Sequence, residues 1–257
     1  MINKIKNILK KKGKTKLVCL TSYSKNHTKI LDKYCDIILV GDSLANVLYG
    51  MKNTHKIDLD TMIRHAISVR LAVKKSLLVV DMPKGTYDNI KNAQINATKI
   101  MKRSKCDAIK IESNKKNYSI IKALVKKNIP VMGHIGFTPQ YSKNFNVKGS
   151  NIGEEAKLIR EAKRIEEAGA FSIVAECIAS SAAKKITKSI KIPTIGIGSS
   201  KYCDGQILVT DDILGLSGFY PKFVKKYINL GKIIENAVRK YKKEVLKNIF
   251  PAKKNSY

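Results

Sequence analysis

The sequence predicts a (β/α)8 barrel of the parallel α/β class, with an N-terminal helix and a C-terminal helical extension. Three observations support this fold. The chain has 257 residues, which is the typical length of a single barrel of this kind. Short segments rich in Val and Ile alternate along the chain with segments of helical periodicity. Both faces of the Val- and Ile-rich segments are apolar, as expected for parallel strands that are covered by helices.

The first element is predicted within residues 1–16, where Ile2, Ile5, Ile8 and Leu9 recur at helical spacing and lysines occupy the other face. We interpret this segment as a packed N-terminal helix. A helix that lies on a membrane surface and a transit peptide are the alternatives.

Eight strands follow in order. Apolar segments bounded by polar residues or glycine predict them at residues 16–20, 36–40, 77–80, 108–111, 130–132, 171–175, 193–197 and 206–209. The clearest helical segments are residues 60–73, 88–103, 117–127 and 153–168, the last followed by Gly169 as a C-cap signal. Residues 221–247 predict one or two further helices. Because no linker or internal repeat interrupts this order, we expect one catalytic domain over residues 1–257.

The charge of the chain is unusual. Lysine and arginine number 50 and aspartate and glutamate 20, which gives a net charge of +30. Such a charge is typical of proteins that bind nucleic acid or an acidic membrane. The lysines are spread along the whole chain, however, which favours a bias in composition over a polyanion site. We therefore expect neither a specific nucleic acid nor a membrane as a partner.

The cysteine pattern and the apolar segments indicate a compartment. The five cysteines contain no CxxC pair, which predicts buried free thiols in a reducing environment. No apolar run approaches the roughly 18 residues that a membrane span needs. The N-terminus lacks the apolar region of a signal peptide. We expect a cytoplasmic protein.

The most informative feature is what stands at the predicted strand ends. Four carboxylates, one lysine and one histidine lie at or just after these ends: Asp42, Asp81, Lys110, Glu112, His134 and Glu176. The C-terminal ends of the strands in a parallel barrel share one face, and that face holds the active site. We therefore expect these six side chains to converge.

Each of these residues also has a structural interpretation. A strand-end aspartate often caps the next helix, and Asp81, which precedes Pro83, also fits the opening of a turn. Lys110 fits a side chain that pairs with Glu112 inside the barrel, since positions i and i+2 share a strand face. His134 fits a core histidine whose hydrogen bonds are satisfied.

A divalent cation resolves the conflict that four converging carboxylates create. Without a partner they would repel one another and raise one another's pKa. Oxygen ligands with no cluster of Cys and His suggest Mg2+ rather than Zn2+. One or two carboxylates, with water and a chelating substrate, are the usual Mg2+ ligands.

At these residues the sequence resembles the ketopantoate hydroxymethyltransferase (3-methyl-2-oxobutanoate hydroxymethyltransferase) family. The matching blocks run in order over nearly the whole chain to Tyr227. They are VGDSLANVLYG (40–50), VVDMPKGTY (79–87), AIKIE (108–112), IPVMGHIGFTPQ (129–140), EEAGAFSIVAEC (166–177), IPTIGIGSSKYCDGQILVTDDILGL (192–216) and PKFVKKY (221–227). No single block would identify the family, but the occurrence of all seven in the same order is highly specific for it.

The resemblance implies a Mg2+-dependent barrel enzyme and a homo-oligomer, often a decamer. It implies transfer of a one-carbon unit from 5,10-methylenetetrahydrofolate to the 2-oxo acid 3-methyl-2-oxobutanoate. The product is 2-dehydropantoate, on the route to pantothenate and coenzyme A.

The resemblance also implies roles for the residues at the strand ends. Asp42 and Asp81 would bind Mg2+ and the chelating substrate, with Glu112 on the metal directly or through water. Ser43 and Lys110 would hold the 2-oxo acid. The two remaining residues are Glu176, which would be the general base, and His134, which would line the substrate site.

Five residues depart from the family pattern. Lys84 stands where an apolar residue is expected, and Ser113 and Asn114 stand where small, glycine-type residues are expected. Ser199 and Ser200 replace a run of small residues. These departures affect the substrate loops and the affinity for folate, and they remove none of the proposed catalytic residues.

Two other function classes remain open on the sequence. One is another Mg2+-enolate barrel, such as a carbon–carbon lyase acting on a 2-oxo acid, which would share the metal carboxylates without a folate pocket. The other is a basic barrel without catalytic activity that binds RNA or a membrane surface. The intact set of carboxylates argues against the second class.

Overall fold

Eight parallel strands pair in chain order and close into a barrel. The computed structural model describes residues 2–113, 117–142, 145–218 and 220–257. The strands are β1 (Leu17–Thr21), β2 (Ile37–Val40), β3 (Leu77–Asp81), β4 (Ala108–Glu112), β5 (Val131–Gly136), β6 (Ser172–Glu176), β7 (Thr194–Ile197) and β8 (Gly205–Leu208). Closure is made by β1, which pairs in parallel with both β2 and β8. The predicted (β/α)8 barrel is confirmed.

The helices alternate with the strands as the sequence predicts. They are α1 (Ile2–Lys10), α2 (Lys25–Leu31), α3 (Leu44–Val47), α4 (Leu59–Arg70), α5 (Ile90–Ser104), α6 (Asn117–Lys126), α7 (Ile152–Glu167), α8 (Ser180–Ser189), α9 (Thr210–Leu214) and α10 (Leu230–Leu246), with short 3-10 helices at Thr54–Lys56 and Lys253–Asn255. Side chains cap several N-termini, as when Asn151 accepts a hydrogen bond from the backbone amide of Glu154. The backbone at Gly169 has φ of +94°, which confirms the predicted C-cap.

The chain divides into two units. Met1–Val209 contains all eight strands and α1–α8, and Thr210–Tyr257 contains α9 and α10. The single domain over residues 1–257 stays a prediction. In the second unit the predicted segment 221–247 contains one helix, α10, at Leu230–Leu246, and none of its side chains is buried, whereas residues 221–229 are not helical.

The barrel core consists of two layers that follow the two faces of each strand. Residues such as Ile38 and Val80 face outward and pack with the helices. Residues such as Leu39 and Val79 face inward and form a second, smaller cluster inside the barrel. This alternation is the period-two pattern of strand side chains. Alternate residues along each strand therefore point into the barrel, and the residues between them point toward the helices.

Helix α1 packs onto the inner cluster. Its Ile8 is buried among the inward-facing residues, and Ile5 is partly buried against them. The carboxylate of Asp204 anchors the segment that follows, since it accepts hydrogen bonds from Lys12 Nζ and from the backbone amide of Gly13. The interpretation of this segment as a packed helix is confirmed.

Strand β5 differs most from its predicted extent, whereas every other strand begins and ends within one residue of the prediction. Strand β5 reaches Gly136 rather than ending at Met132, because His134 faces inward in register with its neighbours. The connection between β7 and β8, residues 198–204, contains no helix.

In the described part of the chain, no helix has the length and apolar character that crossing a membrane requires. All five cysteines are buried and free, as predicted.

Candidate active site

The candidate site lies where the inward-facing positions change from apolar to charged. On β3 these positions run from Leu77 through Val79 to Asp81, and on β4 they run from Ala108 through Lys110 to Glu112. On β5 and β6 the same positions lead to His134 and Glu176. The N-terminal half of the barrel interior is therefore a hydrophobic layer, and the C-terminal half is a polar one. The barrel register brings side chains together that are far apart in the sequence.

Asp81 is the centre of one group of contacts. Its Oδ1 lies 2.6 Å from Lys110 Nζ, and its Oδ2 accepts a hydrogen bond of 3.0 Å from the backbone amide of Asp42. Asp81 and Lys110 occupy paired positions on β3 and β4. Lys110 thus forms its ion pair with a neighbouring strand, and not with Glu112 on its own strand. The first turn after β2, which carries Asp42, is held against the end of β3.

Gln140 is the centre of a second group of contacts. Its Nε2 donates to Asp42 Oδ2 at 2.9 Å, and its backbone amide donates to Glu112 Oε2 at 3.0 Å. Its Oε1 accepts a hydrogen bond of 2.5 Å from Tyr87 Oη. Gln140 and Tyr87 are both fully buried. One residue therefore connects the carboxylates at the ends of β2 and β4, the first through its side chain and the second through its backbone amide.

His134 lies between two carboxylates. Its Nε2 is 3.2 Å from Glu176 Oε2, and its Nδ1 is 3.7 Å from Glu112 Oε1. Neither ring nitrogen makes a hydrogen bond of good geometry to any described residue. Such an unsatisfied buried ring is unusual for a core histidine. His134 is therefore aimed into the site, next to the residue predicted to be the base.

The backbone around Glu176 is tightly constrained. Gly136 is paired with Glu176 across β5 and β6, and it has φ of +95°. A Cβ atom at Gly136 would lie 2.2 Å from the carbonyl oxygen of Glu176. Cys177 has φ of +50°, in a region that side chains rarely adopt. These two residues set the direction in which the chain leaves β6, so they fix the position of Glu176.

Ser43 lies at the N-terminus of α3 but does not cap it with its side chain. Its Oγ lies 2.9 Å from Tyr23 Oη. Gly41 is close by, because a Cβ atom there would lie 2.9 Å from Ser43 Oγ and 3.6 Å from Asp81 Oδ2. The Ser43 hydroxyl therefore faces the same space as the Asp81 carboxylate.

Burial is the largest influence on the ionisable groups of this cluster. It raises the pKa of Glu112 well above its ordinary value, and the charge of Asp42 raises it further. It also raises the pKa of Asp81, against the effect of Lys110. Burial lowers the pKa of Lys110, but the surrounding carboxylates outweigh it and the net shift is upward. The cluster therefore keeps its lysine charged and contains more buried carboxyl groups than one lysine can pair with.

This donor set fits a hard divalent cation. Within residues 2–113, 117–142, 145–218 and 220–257, no three side chains of His, Cys, Asp or Glu come together closely enough to hold a metal ion by themselves. Mg2+ does not need three, because it usually binds one or two carboxylates and keeps water and substrate oxygens as its other ligands. Asp42 and Asp81 meet that requirement, with the buried Glu112 nearby.

The structure places all of the predicted residues on the C-terminal face of the barrel. It brings together Asp42, Asp81 and Lys110, and it brings Glu112, His134 and Glu176 together. The ligand and substrate roles of these residues stay predictions.

Sequence reasoning missed two residues of the cluster. It gave no role to Gln140 or Tyr87, although both lie in matching blocks. The signal for Gln140 is its place soon after β5, on the face that holds the other site residues.

The described residues among the departures from the family pattern follow the C-terminal ends of β3, β4 and β7. Lys84 is exposed, and its Nζ is 3.4 Å from His55 Nδ1. Ser113 is buried, and its backbone amide donates to the carbonyl of His134. Asn114 lies outside the described residues. Ser200 is buried and bonds to Ser180.

Comparison with known proteins identifies relatives along the whole chain. The family model described as ketopantoate hydroxymethyltransferase matches residues 2–253. A protein of Pelagibacter ubique (strain HTCC1062) named 3-methyl-2-oxobutanoate hydroxymethyltransferase is 55% identical over 257 residues, which cover all of both chains. A protein of the same name from Anaplasma marginale (strain Florida) is 43% identical over all of this chain and 94% of its own.

Solved structures of distant sequence share the barrel. A 2,3-dimethylmalate lyase, described as a member of the PEP mutase/isocitrate lyase superfamily, matches with a TM-score of 0.64 and 13% identity over 99% of this chain and 88% of its own. A phosphonopyruvate hydrolase in complex with oxalate and Mg2+ matches with a TM-score of 0.61 and 13% identity over 98% of this chain and 93% of its own. At such identities the likeness shows the fold alone. The full-length sequence matches are much closer, and they show that the chain belongs to the ketopantoate hydroxymethyltransferase family, a family of transferase enzymes.

Proposed function

We propose that this protein transfers a hydroxymethyl group from 5,10-methylenetetrahydrofolate to 3-methyl-2-oxobutanoate in a Mg2+-dependent reaction that gives 2-dehydropantoate. The observation that carries the proposal is the polar layer of the barrel, where a buried carboxylate cluster lies beside the pair of His134 and Glu176. An enzyme that removes a proton from carbon needs both a base and a means of stabilising the charge that develops on the substrate.

Asp42 and Asp81 would hold the metal ion, and Glu112 would contact it directly or through water. Bound Mg2+ would supply Lewis-acid polarisation of the 2-oxo group of the substrate. The burial of the cluster supports this assignment, because burial raises the pKa of Glu112 and a bound cation would oppose that effect by stabilising the ionised carboxylate. A protein of the same fold binds oxalate with Mg2+, and oxalate resembles the chelating end of a 2-oxo acid.

Glu176 would remove the proton from C3 of the 2-oxo acid. Its side chain is 15% exposed, whereas the neighbouring His134 is almost fully buried. Glu176 can therefore reach a substrate in the mouth of the barrel, while His134 orients it from within. Lys110 and Ser43 would bind the substrate oxygens, with the lysine adding positive charge where negative charge develops.

The proposed reaction has three reactants, which are the 2-oxo acid, the folate donor and water. Once C3 has lost its proton to Glu176, it attacks the methylene carbon of the folate donor and forms the new carbon–carbon bond. The methylene group leaves the donor nitrogens, which regain protons as tetrahydrofolate forms. Water supplies the hydroxyl of the hydroxymethyl group.

The direct test is product formation by the purified protein. We expect 2-dehydropantoate, detected by mass spectrometry, from 3-methyl-2-oxobutanoate, 5,10-methylenetetrahydrofolate and Mg2+. We expect none with excess chelator or without the donor. A lyase would instead cleave a 2-oxo acid without folate, so cleavage of 2-dehydropantoate or related acids in the absence of tetrahydrofolate would favour that class over a transferase.

We also propose that the chain assembles into a homo-oligomer, with ten copies as the expected number. Apolar side chains exposed on α10, among them Ile233, Val238 and Tyr241, support assembly. Light scattering behind a sizing column measures the mass, and a monomer at micromolar concentration would contradict the proposal. The cytoplasmic location stays a prediction.

A further inference from the structure

Gln140 follows β5, and its side chain and backbone amide contact residues at the ends of β2, β3 and β4. Besides Asp42 and Glu112, its Nε2 donates to the carbonyl oxygen of Met82 at 3.0 Å, just after β3. Its own segment follows β5. It is 1% exposed. A buried residue in this position controls how the ends of β2, β3 and β4 are spaced from one another.

The orientation of the Gln140 amide is fixed by its partners. Both acceptors of Nε2, Asp42 Oδ2 and the Met82 carbonyl, are oxygen atoms without protons. The group that faces Oε1 is the Tyr87 hydroxyl, which donates. Rotating the amide by half a turn would set oxygen against oxygen at two contacts and lose both bonds. The two acceptors therefore select the orientation that donates to Asp42, and the hydrogen bond from Tyr87 stabilises it.

The two carboxylates that receive hydrogen bonds from Gln140 belong to the proposed metal site: Asp42 Oδ2 accepts from the side chain and Glu112 Oε2 from the backbone amide. Donors from one rigid residue fix one oxygen of each carboxylate. Partners of this kind orient metal ligands, and their loss typically weakens metal binding about 10- to 100-fold.

We propose that Gln140, oriented by Tyr87, is a positioning residue for the divalent cation, acting through Asp42 and Glu112 rather than by touching the ion. This inference rests on the proposed metal site. It adds a pair of residues that the sequence analysis left without a role, and it explains why a glutamine is buried among carboxylates. An uncharged amide supplies two donors there without adding to the negative charge.

The test is the affinity of the whole protein for Mn2+ alone, measured by calorimetry and by the electron spin resonance signal of free Mn2+. The variant Gln140→Met keeps the length of the side chain and removes its donors to Asp42 and the Met82 carbonyl, while the backbone amide that donates to Glu112 stays. We expect its Kd for Mn2+ to rise about 10- to 100-fold. Tyr87→Phe keeps Gln140 and removes only the orienting hydroxyl, so we expect a rise of about 2- to 10-fold, the worth of one hydrogen bond.

Two further variants separate this inference from the proposed function. Gln94→Met is the matched control, because Gln94 lies on α5 and donates to the carbonyl of Ala123. We expect its Kd to equal that of the wild type. Asp81→Asn removes a proposed ligand that Gln140 does not contact, and we expect it to lose Mn2+ binding.

A positioning role also predicts rescue. Saturating Mg2+ should restore most of the turnover of Gln140→Met but none of that of Glu176→Gln. Wild-type Kd in both Gln140→Met and Tyr87→Phe, with unchanged melting temperatures, would overturn the inference and leave the metal site standing. If Gln140→Met does not fold, a wild-type Kd for Mn2+ in Tyr87→Phe alone would overturn the inference. No Mn2+ binding in the wild type, with or without the 2-oxo acid, would overturn the metal site and the inference together.

Discussion

Lys110 Nζ lies 2.6 Å from Asp81 Oδ1, and both side chains are almost fully buried inside the barrel. They occupy paired positions on neighbouring strands, so the contact is a direct consequence of the barrel register. The pair divides the hydrophobic layer of the barrel from the polar one. A buried charge without its partner is among the most destabilising changes a protein can undergo.

The first prediction concerns this pair. Lys110→Met leaves several buried carboxylates without their cation, and we expect the metal-free protein to lose about 3–5 kcal/mol of unfolding free energy. Urea unfolding in excess chelator measures the loss. The double variant Lys110→Met with Asp81→Asn should recover at least half of this loss, because it also removes the negative charge that Lys110 neutralises. A single variant that unfolds like the wild type would show that the pair does not stabilise the barrel.

A second prediction concerns the backbone that holds Glu176. Gly136→Ala would place a Cβ atom 2.2 Å from the Glu176 carbonyl oxygen, so the end of β6 must shift. Displacement of a catalytic group by about 1 Å can reduce turnover about 100-fold. Gly13→Ala is the control, since Gly13 also has positive φ, at +68°, but nothing lies near its Cβ position.

Steady-state kinetics distinguishes the two glycine variants. We expect kcat to fall about 100-fold in Gly136→Ala and to stay at the wild-type value in Gly13→Ala. Equal kcat in both variants would mean that Gly136 has no influence on the position of Glu176.

A third prediction concerns pH and the anchoring of the N-terminal segment. Burial acts to raise the pKa of Asp204, but hydrogen bonds from Lys12, the Thr194 amide and the Gly13 amide outweigh it, and the net pKa lies below 3.8. A lowered pKa in the folded state contributes stability that is present above 3.8 and is lost as the pH falls through the folded value. Asp204→Asn removes this contribution.

We expect Asp204→Asn to cost about 3 kcal/mol at neutral pH, with the difference from the wild type shrinking as the pH falls below 3.8. Asp88→Asn, at an exposed position, is the control, and we expect it to leave the free energy of unfolding at neutral pH unchanged. Denaturant unfolding across a pH series measures both. A difference that grows in acid would reverse the sign of the argument.

A fourth prediction concerns Lys84, the departure from the family pattern at the rim. Its Nζ is close to His55 Nδ1, and His55 Nε2 is 3.0 Å from the carbonyl of Pro139, next to Gln140. A lysine at this rim suits the carboxylates of a folate tail. Lys84→Leu should raise the KM for the folate donor about 2- to 5-fold, the worth of one exposed ion pair, while the KM for the 2-oxo acid stays unchanged. An unchanged donor KM would place Lys84 outside the folate site.

Much of the fold and of the site is predictable because the signals are local. Strand periodicity places Asp81, Lys110 and Glu112 on the inward face, and the rule that strand ends share one face gathers them. The sequence predicts too short a β5, because His134 and Gly136 interrupt the apolar pattern although both residues still pair with neighbouring strands.

The pairing of side chains across the barrel is less predictable. Lys110 has a carboxylate two residues away on its own strand, yet it pairs with Asp81, 29 residues away. Gln140 contacts Asp42 across 98 residues of sequence. Such contacts depend on the relative register of strands and on loop conformation, which the period of a single segment does not encode.

The most direct test of the central claim is exchange of the C3 proton of 3-methyl-2-oxobutanoate in D2O, followed by NMR without folate. We expect the wild type with Mg2+ to exchange this proton, and we expect chelator or Glu176→Gln to slow exchange about 100- to 10,000-fold, the usual worth of a general base. Glu176→Gln should still bind Mn2+, which shows that the fold and the metal site persist. Exchange at the wild-type rate in Glu176→Gln, or in the presence of chelator, would contradict the account.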